Sequence, residues 1–303
     1  MGASRLTTVV VTYNCEGTIA ACLDSVLASE LATTLVIIDN ASSDNSVAIA
    51  RSAAPDALLI ELQENRGFAA GCNVGIEHAL EERSHFIFFL NPDATIDPAC
   101  IGTLLQAMND HPEFAIVCPM IFNGSTGLVW YAGAKLDLDG NQHEHLGIDG
   151  SDLGIARDVQ QTGRPTGCAM LVRASVIEEV GPMDPTFFLY WEETEWTLRF
   201  KRAGWSVGFV PTATAAHFVS SSTGGSGQPL FEYYFTRNRL RILNENTGRG
   251  KVDLTVRSVR ESGWRVMDAY KRGGLNAGVR VSRSLFLAYL DFWRDRSGRR
   301  RNF

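Results

Sequence analysis

The 303-residue sequence predicts an α/β fold in which a mostly parallel sheet is covered by helices on its faces. Two observations indicate this fold. Short apolar, β-branched runs of strand length alternate with segments of helical apolar spacing over the first third of the chain. The composition, 45% hydrophobic and 20% charged, is also that of an ordinary globular domain.

The first part of the chain supplies four strands, and the first of them is a β-branched run typical of a strand buried on both faces. We predict these strands at residues 7–12, 35–38, 57–62 and 85–90. The helices between them carry apolar residues three or four positions apart, and we predict them at residues 17–29, 47–53 and 69–80. Asp97 and Pro98 form a favourable N-cap and first position for a fourth helix that runs to Met108.

The second part is less regular. Further strands are predicted at residues 114–122, 168–172 and 206–211, and further helices from Ala174, at 192–203 and from Leu230 onward. Residues 124–163 are rich in Gly, Asp and His and indicate extended loops, and residues 220–227 a flexible loop. The chain is increasingly basic towards its end, where we expect a C-terminal helical extension.

Composition excludes several classes of protein. A net charge of −6 gives no reason to expect a nucleic-acid partner. The six cysteines form no CxxC pair and are typical of buried apolar residues in a reduced protein. Neither an apolar signal segment nor a run of about 18 apolar residues occurs, so we expect a cytoplasmic protein.

Polar residues follow three of the four early strands where each strand ends: residues 12–14 (TYN), 39–40 (DN) and 91–93 (NPD). Any one of these groups alone is more typical of a helix cap or a turn. The carboxyl ends of parallel strands meet at one edge of a sheet, so three groups there indicate a ligand site. The chain lacks GxGxxG after its first strand and has no GxxxxGK[ST], which argues against dinucleotide and P-loop sites.

Several segments together resemble the ordered motifs of family 2 glycosyltransferases, and most closely their rhamnosyltransferase-like branch. They are VVTYN (10–14), IIDNASSDNS (37–46), NRGFAAGCN (65–73), NPDA (91–94), TGCAMLVR (166–173), GPMDPTFFLYWEETEWTLRFKRAGW (181–205), His217 and YYFTRNRL (233–240). The resemblance implies the Rossmann-like GT-A fold over residues 1–240. It places a nucleotide-sugar-binding half at 1–110, an acceptor-binding half at 111–240 and the helical extension, with its basic tail, at 241–303.

The resemblance also implies an activity: inverting, metal-dependent transfer of a hexose from a nucleotide-diphosphate sugar to an acceptor hydroxyl. The branch suggests dTDP-L-rhamnose as donor, with UDP-sugars as an alternative. Acceptors would be a glycan, a lipid-linked saccharide or another glycoconjugate, as in polysaccharide or cell-wall biosynthesis. By resemblance, Asp93 holds Mg²⁺ or Mn²⁺, and Asn91 stands where the family usually has another acid. His217 would be the second metal ligand, although a lone histidine is as often simply packed.

Glu193 is the predicted general base, because the attacking hydroxyl must lose a proton to a positioned carboxylate. The family usually has an aspartate there, so the longer glutamate changes the reach of the base. Glu195 is better explained by its helical pairing with Arg199, and Glu192 stays ambiguous between a helix-terminal charge and a contact with the sugar or acceptor.

The remaining site predictions come from the same resemblance. The nucleotide-sugar-binding residues would be Thr12, Tyr13, Asn14, Asp39, Arg66, Gly67, Asn73, Asn91, Pro92 and Asp93. Asp39 and Arg66 would contact a pyrimidine base, although Asp39 also suits a turn and Arg66 an exposed surface. Trp130 and Trp191 would stack on the sugar or the acceptor, although most aromatic residues are core residues.

The C-terminus is apolar at residues 284–293 and arginine-rich after them. Such an end suits peripheral contact with the inner face of a membrane, where lipid-linked acceptors reside. A helix packed on the catalytic domain or at the seam of a homodimer, followed by a disordered basic end, also explains it, and we favour that explanation over membrane contact. Two rival functions stay open: a sugar-1-phosphate nucleotidyltransferase, whose glycine-rich N-terminal loop is absent here, and a non-catalytic nucleotide-sugar-binding protein.

Overall fold

The computed structural model describes residues 5–138, 158–218 and 227–300. Within them lie ten strands: β1 Leu6–Thr12, β2 Thr34–Asp39, β3 Leu58–Glu61, β4 Phe86–Leu90, β5 Ala94–Ile96, β6 Phe114–Asn123, β7 Val129–Tyr131, β8 Gln160–Gln161, β9 Ala169–Arg173 and β10 Ser206–His217. The same residues include eight helices: α1 Ile19–Leu27, α2 Ser46–Ala53, α3 Phe68–Glu81, α4 Cys100–Asp110, α5 Ala174–Val180, α6 Glu192–Arg202, α7 Pro229–Asn246 and α8 Lys251–Trp293.

The strands form one sheet in the order β3-β2-β1-β4-β9-β6-β10-β5, with β7 beside β6 and β8 beside β10. The β3-β2-β1-β4 half is parallel throughout, as predicted. β9 then inserts antiparallel between β4 and β6, and β5 pairs antiparallel with β10. The α/β fold with flanking helices is therefore confirmed, and the sheet is mixed in its second half.

The core explains why the strand predictions succeed. All residues of β1 and β4 are buried, because helices cover both faces of the sheet. The six cysteines are free and buried, as expected for small apolar residues. The predicted boundaries agree with the observed ones to within two residues for most early elements.

Two boundaries and one strand differ from prediction. α4 begins at Cys100 rather than at Pro98, because the Asp97 carboxylate forms a turn by accepting a hydrogen bond from the backbone N–H of Ala99 (3.0 Å). The short strand β5 was not predicted, and β10 continues to His217, well beyond residue 211. Most of the loop predicted at 220–227, and the middle of the loops predicted at 124–163, lie outside the described residues.

The C-terminal extension consists of α7 and α8. α8 bends sharply at Gly274, where φ is 69°, and its two arms fold back on each other. Leu254 near the start of the first arm therefore packs beside Phe292 near the end of the second. Residue 240, where we expected the catalytic domain to end, falls inside α7. Among the described residues, no helix is long and apolar enough to span a bilayer.

Candidate active site

A cavity of about 550 Å³ opens at the carboxyl ends of β1 and β4, where a ligand site was predicted. Nine of the predicted site residues line it: Tyr13, Asn91, Pro92, Asp93, Trp130, Trp191, Glu192, Glu193 and His217. The proposed metal ligands and the proposed base therefore share one cavity.

Asp93 and His217 meet on one wall of this cavity. Asp93 directly precedes β5 and His217 ends β10, and these two strands pair antiparallel. The pairing brings Asp93 Oδ1 within 3.1 Å of His217 Nε2, and both side chains are buried. The indole of Trp130 packs edge-on against the imidazole, with 4.6 Å between ring centroids. The contact between Asp93 and His217 depends on strand β5, which the sequence analysis did not predict.

The surroundings of the His217 imidazole favour its protonated form. Burial lowers its pKa, but the Cys168 sulfur and the Asp93 carboxylate outweigh burial and raise the pKa to about 10. Its Nδ1 is buried and has no hydrogen-bond partner. The Asp93 oxygen and the His217 nitrogen lie side by side, but an imidazole with this pKa is protonated at neutral pH and would have to release its proton before Nε2 could bind a divalent cation. No group of three or more His, Cys, Asp or Glu side chains in the described part of the chain could hold a metal ion.

Glu193 lies in the first turn of α6 and forms an ion pair with Arg164, with 3.2 Å between Glu193 Oε1 and Arg164 Nη1. Both side chains are nearly buried, with exposed fractions of 13% and 11%. The Thr194 hydroxyl also donates to Glu193 Oε1, at 3.2 Å. The sequence did not identify Arg164. A buried carboxylate requires a nearby cation, but nothing in the sequence shows which one.

Glu192 differs from its neighbour. Its side chain is 5% exposed, and its Oε2 has no hydrogen-bond partner. Burial, and then the negative charge of Glu193, raise the pKa of Glu192 well above its usual value. Burial therefore favours the neutral, protonated form of Glu192, which lies beside the Glu193–Arg164 ion pair.

The segment leading into these acids is strained. Phe188, Tyr190 and Trp191 have φ values of 65°, 66° and 74°, in the left-handed region that bulky residues rarely adopt. The Asn238 side-chain amide in α7 donates to three backbone carbonyls within residues 187–190, at 2.8 to 2.9 Å. Such strain persists only where surrounding contacts enforce it, and it is typical of functional sites.

Gly67 supports the same segment from the other side. Its φ is 89°, and a Cβ there would lie 2.4 Å from the Phe188 carbonyl oxygen. The next residue, Phe68, donates its backbone N–H to that oxygen at 2.7 Å. The contact of Gly67 with a donor stays a prediction, and the structure gives this glycine a packing requirement against Phe188.

Several other predicted donor-binding residues lie outside the cavity lining. The Thr12 hydroxyl is buried against the Cys15 sulfur (2.7 Å), and Asn14 Oδ1 accepts from the backbone N–H of Ser43 (2.8 Å). The Arg66 side chain is exposed. Their roles in binding a donor stay predictions.

Asp39 and Asn73 differ in how many polar atoms they leave available. Asp39 Oδ2 accepts from the backbone N–H of Ser42 (2.9 Å), whereas its Oδ1 is buried without a partner. Asn73 uses both ends of its amide on the backbone of Met183, at 2.8 and 3.0 Å. Neither residue lines the cavity: Asp39 keeps one buried acceptor without a partner, and Asn73 bridges to the backbone of Met183.

Asn40, which the sequence analysis placed at the strand ends that indicate a ligand site, lines the cavity too. The cavity also contains residues that the sequence analysis did not assign to the site: Asn65, Phe68, Arg164, Cys168 and Arg299. Asn65, Phe68 and Cys168 lie inside the quoted motifs, so the motifs themselves were a usable signal. Arg299 comes from the far end of the chain, and no local pattern could place it here.

A model of the family described as glycosyl transferase family 2 matches residues 7–181, which is more than half of the chain. The chain belongs to glycosyl transferase family 2. The resemblance drawn from its motifs is thereby confirmed.

Characterised relatives agree with this assignment. The chain is 25% identical over 235 residues to the low-salt glycan biosynthesis hexosyltransferase Agl10 of Haloferax volcanii, covering 77% of this chain and 75% of that protein. It is 26% identical over 217 residues to N-acetylglucosaminyl-diphospho-decaprenol L-rhamnosyltransferase of Mycobacterium tuberculosis, covering 65% and 70%. It is also 26% identical over 195 residues to the dTDP-rhamnosyl transferase RfbF of Shigella flexneri, covering 62% and 63%. The chain is a glycosyltransferase similar to rhamnosyltransferases.

Solved structures confirm the fold. A mannosyltransferase from Pyrobaculum calidifontis, in complex with GDP-Man and Mn²⁺, superposes with a TM-score of 0.61 at 15% identity, covering 97% of this chain and 88% of that one. GalNAc-T7 with UDP, GalNAc and Mn²⁺ superposes with a TM-score of 0.62 at 16% identity, covering 80% and 48%.

Proposed function

We propose that this transferase moves a hexose from a nucleotide-diphosphate sugar to an acceptor hydroxyl by a single displacement that inverts the anomeric carbon. One observation carries the proposal: the Asp93–His217 pair and the Glu193 carboxylate line the same cavity. A base and a site for the leaving group must act on one sugar from different sides, and a shared cavity permits this.

Glu193 acts as the general base. Arg164 supplies the positive charge that stabilises the ionised carboxylate, and α6 holds the side chain against the cavity. The carboxylate takes the proton of the acceptor hydroxyl as that oxygen attacks the sugar. Trp130 and Trp191 also line the cavity, and they would pack on the sugar or the acceptor.

Asp93 and His217 would hold Mg²⁺ or Mn²⁺. Asp93 Oδ1 and His217 Nε2 are adjacent, and two structural relatives were solved with Mn²⁺. The His217 imidazole would release its proton as the ion binds, because only the neutral ring is a metal ligand. A bound cation neutralises the charge that develops on the leaving diphosphate. The two residues supply few ligands, so the ion should bind weakly until a donor phosphate completes its coordination.

We propose dTDP-L-rhamnose as the donor, with UDP-sugars as the alternative. The names of two relatives, an L-rhamnosyltransferase and a dTDP-rhamnosyl transferase, support this choice. The unpartnered Asp39 Oδ1 is an acceptor suited to the N3–H that thymine and uracil share. The characterised relatives are transferases, which favours catalysis over a non-catalytic nucleotide-sugar-binding role.

A donor screen tests the nucleotide and the metal together. Thermal unfolding should be measured with dTDP-, UDP- and GDP-sugars, each with and without Mn²⁺. Because a ligand stabilises the state it binds, we expect the largest shift with dTDP-L-rhamnose and Mn²⁺ together. An equal shift without Mn²⁺ would contradict the metal site, and a larger shift with a GDP-sugar would contradict the pyrimidine assignment.

Glu193→Gln tests the base. The amide cannot accept the proton, so kcat should fall by about 10²- to 10⁴-fold while donor affinity is retained. Glu195→Gln is the matched control, because Glu195 pairs with Arg199 and does not line the cavity. If Glu193→Gln turns over as fast as the control, Glu193 is not the base. Inversion is tested separately, by NMR of the anomeric proton of the product.

Membrane contact through the basic C-terminus and a homodimer remain proposals. Arg299 Nη1 donates to the Asn65 carbonyl (3.0 Å), and Arg300 pairs with Asp291. The described part of the tail thus packs on the protein itself, which supports packing over membrane contact for those residues.

A further inference from the structure

A second cavity, of about 260 Å³, lies between α7, the end of α8 and the C-terminal segment. Four arginines and one acid contribute to its lining: Arg237, Arg296, Arg299, Arg300 and Asp291. We call it the basic cavity. Its charged side chains sum to three positive charges in a chain whose net charge is −6. Concentrated positive charge in a partly enclosed space attracts anions.

The single acid does not neutralise this cavity. Asp291 is buried, and its Oδ2 already accepts from the Tyr233 hydroxyl (2.6 Å) and pairs with Arg300. Arg296 Nη1 is 3.9 Å from Asp291 Oδ1, and its side chain is 61% exposed. The guanidinium of Arg296 is therefore available to a ligand at little cost in protein contacts.

Arg299 joins the basic cavity to the active-site cavity, because it lines both. Its charge is weakly compensated: the nearest carboxylate is that of Glu64, 3.8 Å away on a side chain that is 75% exposed. Screening by solvent makes such a contact weak. An anion in the basic cavity could therefore belong to a molecule whose other end lies in the active site.

The backbone that carries these arginines is fixed. Gly298 donates its N–H to the Thr186 carbonyl (2.6 Å), and the Gly298 carbonyl accepts from Arg237 Nη1 (2.7 Å). Arg237 is itself buried and bonded to surrounding groups. Arg296 and Arg299 thus extend from an ordered segment, which lowers the entropic cost of holding a ligand.

We propose that the basic cavity binds a phosphate group carried by the acceptor. The proposal rests on the proposed function, in which the donor's diphosphate belongs to Asp93 and His217. A second phosphate site that touches the same active site then belongs to the other substrate. Arginine suits this task because its planar guanidinium donates two parallel hydrogen bonds to phosphate oxygens.

Binding of inorganic pyrophosphate tests the site without any knowledge of the acceptor. Titration calorimetry in EDTA suppresses any metal-dependent binding at Asp93. We expect one site in the wild-type chain and in Asp93→Asn, and affinity about tenfold weaker in Arg296→Ala and in Arg299→Ala. Arg294→Ala, an exposed arginine of the same segment that lines neither cavity, is the matched control and should bind normally.

Absence of pyrophosphate binding to the wild-type chain would overturn the proposal, and so would equal affinity in all three arginine variants. Arg296→Lys gives a further check, because a lysine keeps the charge but loses the paired hydrogen bonds. It should bind with intermediate affinity.

Kinetics identify the source of the phosphate. With a diphosphate-bearing acceptor, Arg296→Ala should raise the acceptor KM about tenfold and leave the donor KM and kcat unchanged. The same acceptor without its diphosphate should show no difference between variant and wild type. A raised donor KM would instead assign the cavity to the nucleotide sugar and overturn the acceptor proposal. The calorimetric result is independent of turnover, so failure of Glu193 as the base would leave it standing.

Discussion

Glu192 and Glu193 are adjacent in sequence but have different surroundings. Glu193 faces the Arg164 guanidinium at 3.2 Å, whereas Glu192 is buried with an unpartnered oxygen. Two carboxyl groups whose environments separate their protonation states are typical of acid–base sites. The proposed base is thus the member of the pair that faces a cation, and burial favours the neutral form of the other member.

Glu192→Gln tests the neutral state. The pKa of Glu192 is raised above its ordinary value of 4.5, so above that pH the folded chain keeps a proton that the unfolded chain has lost. Wild-type stability should therefore fall as pH rises towards the raised pKa. Glutamine resembles the neutral acid and does not ionise, so the variant should lack this loss.

The measurement is the free energy of unfolding across pH for both proteins. Relative to that of the wild type, the free energy of unfolding of Glu192→Gln should rise by up to about 1.4 kcal/mol for each pH unit above the ordinary carboxyl pKa. The two should differ by a constant amount below it. A parallel pH dependence of the two proteins would show that Glu192 is ionised in the folded state.

At the scale of elements, α7 positions the strained segment at residues 187–191. Asn238 donates to three carbonyls there, and Arg237 Nη2 donates to the Phe187 carbonyl (3.1 Å). α6 begins with Glu192 directly after this segment. The YYFTRNRL motif therefore acts on the predicted base through backbone geometry rather than through direct contact.

Asn238→Ala should lower the free energy of unfolding by about 1–3 kcal/mol, because buried carbonyls lose their donor. We also expect a lower kcat with little change in donor affinity, since the turn before Glu192 and Glu193 relaxes. Asn246→Ala on the same helix is the control, because its amide bonds only to the neighbouring turn and to Arg202. If the kcat of Asn238→Ala equals that of the control, α7 does not position the active-site acids.

The elements of the parallel half follow from the sequence, because burial on both faces requires continuous apolar strands such as residues 86–90. The insertion of β9 between β4 and β6 could not be predicted from the sequence, because residues distant in sequence determine it. β5 has only three residues, too few to show a period, yet it brings Asp93 to His217. The residue types of the site were readable from motifs, whereas partners such as Arg164 depend on tertiary packing.

At the scale of the whole molecule, α8 packs on α7 through a buried ion pair. Arg265 in its first arm forms an ion pair of 2.7 Å with Glu232 in α7, and both side chains are buried. The Arg265 guanidinium also donates to Ser262 (2.6 Å). α7 in turn holds the segment before the proposed base, so α8 supports the active site through α7.

Arg265→Ala should therefore destabilise the chain strongly, by about 3–5 kcal/mol, because it leaves the Glu232 carboxylate buried without a cation. Arg257→Ala, which breaks an exposed pair with Asp253 on the same helix, should cost at most about 1 kcal/mol. The double variant Glu232→Gln, Arg265→Met removes both charges and should recover much of the loss.

Chemical denaturation measures all three free energies, and truncation after Gly250 extends the test. Since truncation removes Arg265 and uncovers the apolar face of α7, where Leu240 and Leu243 pack on Leu254, we expect no cooperative unfolding transition. If Arg265→Ala costs no more than Arg257→Ala and the truncated chain still unfolds cooperatively, the catalytic domain is complete without α8. The domain boundary predicted near residue 240 would then separate a catalytic domain that is stable by itself from the helical extension, although the boundary lies within a helix.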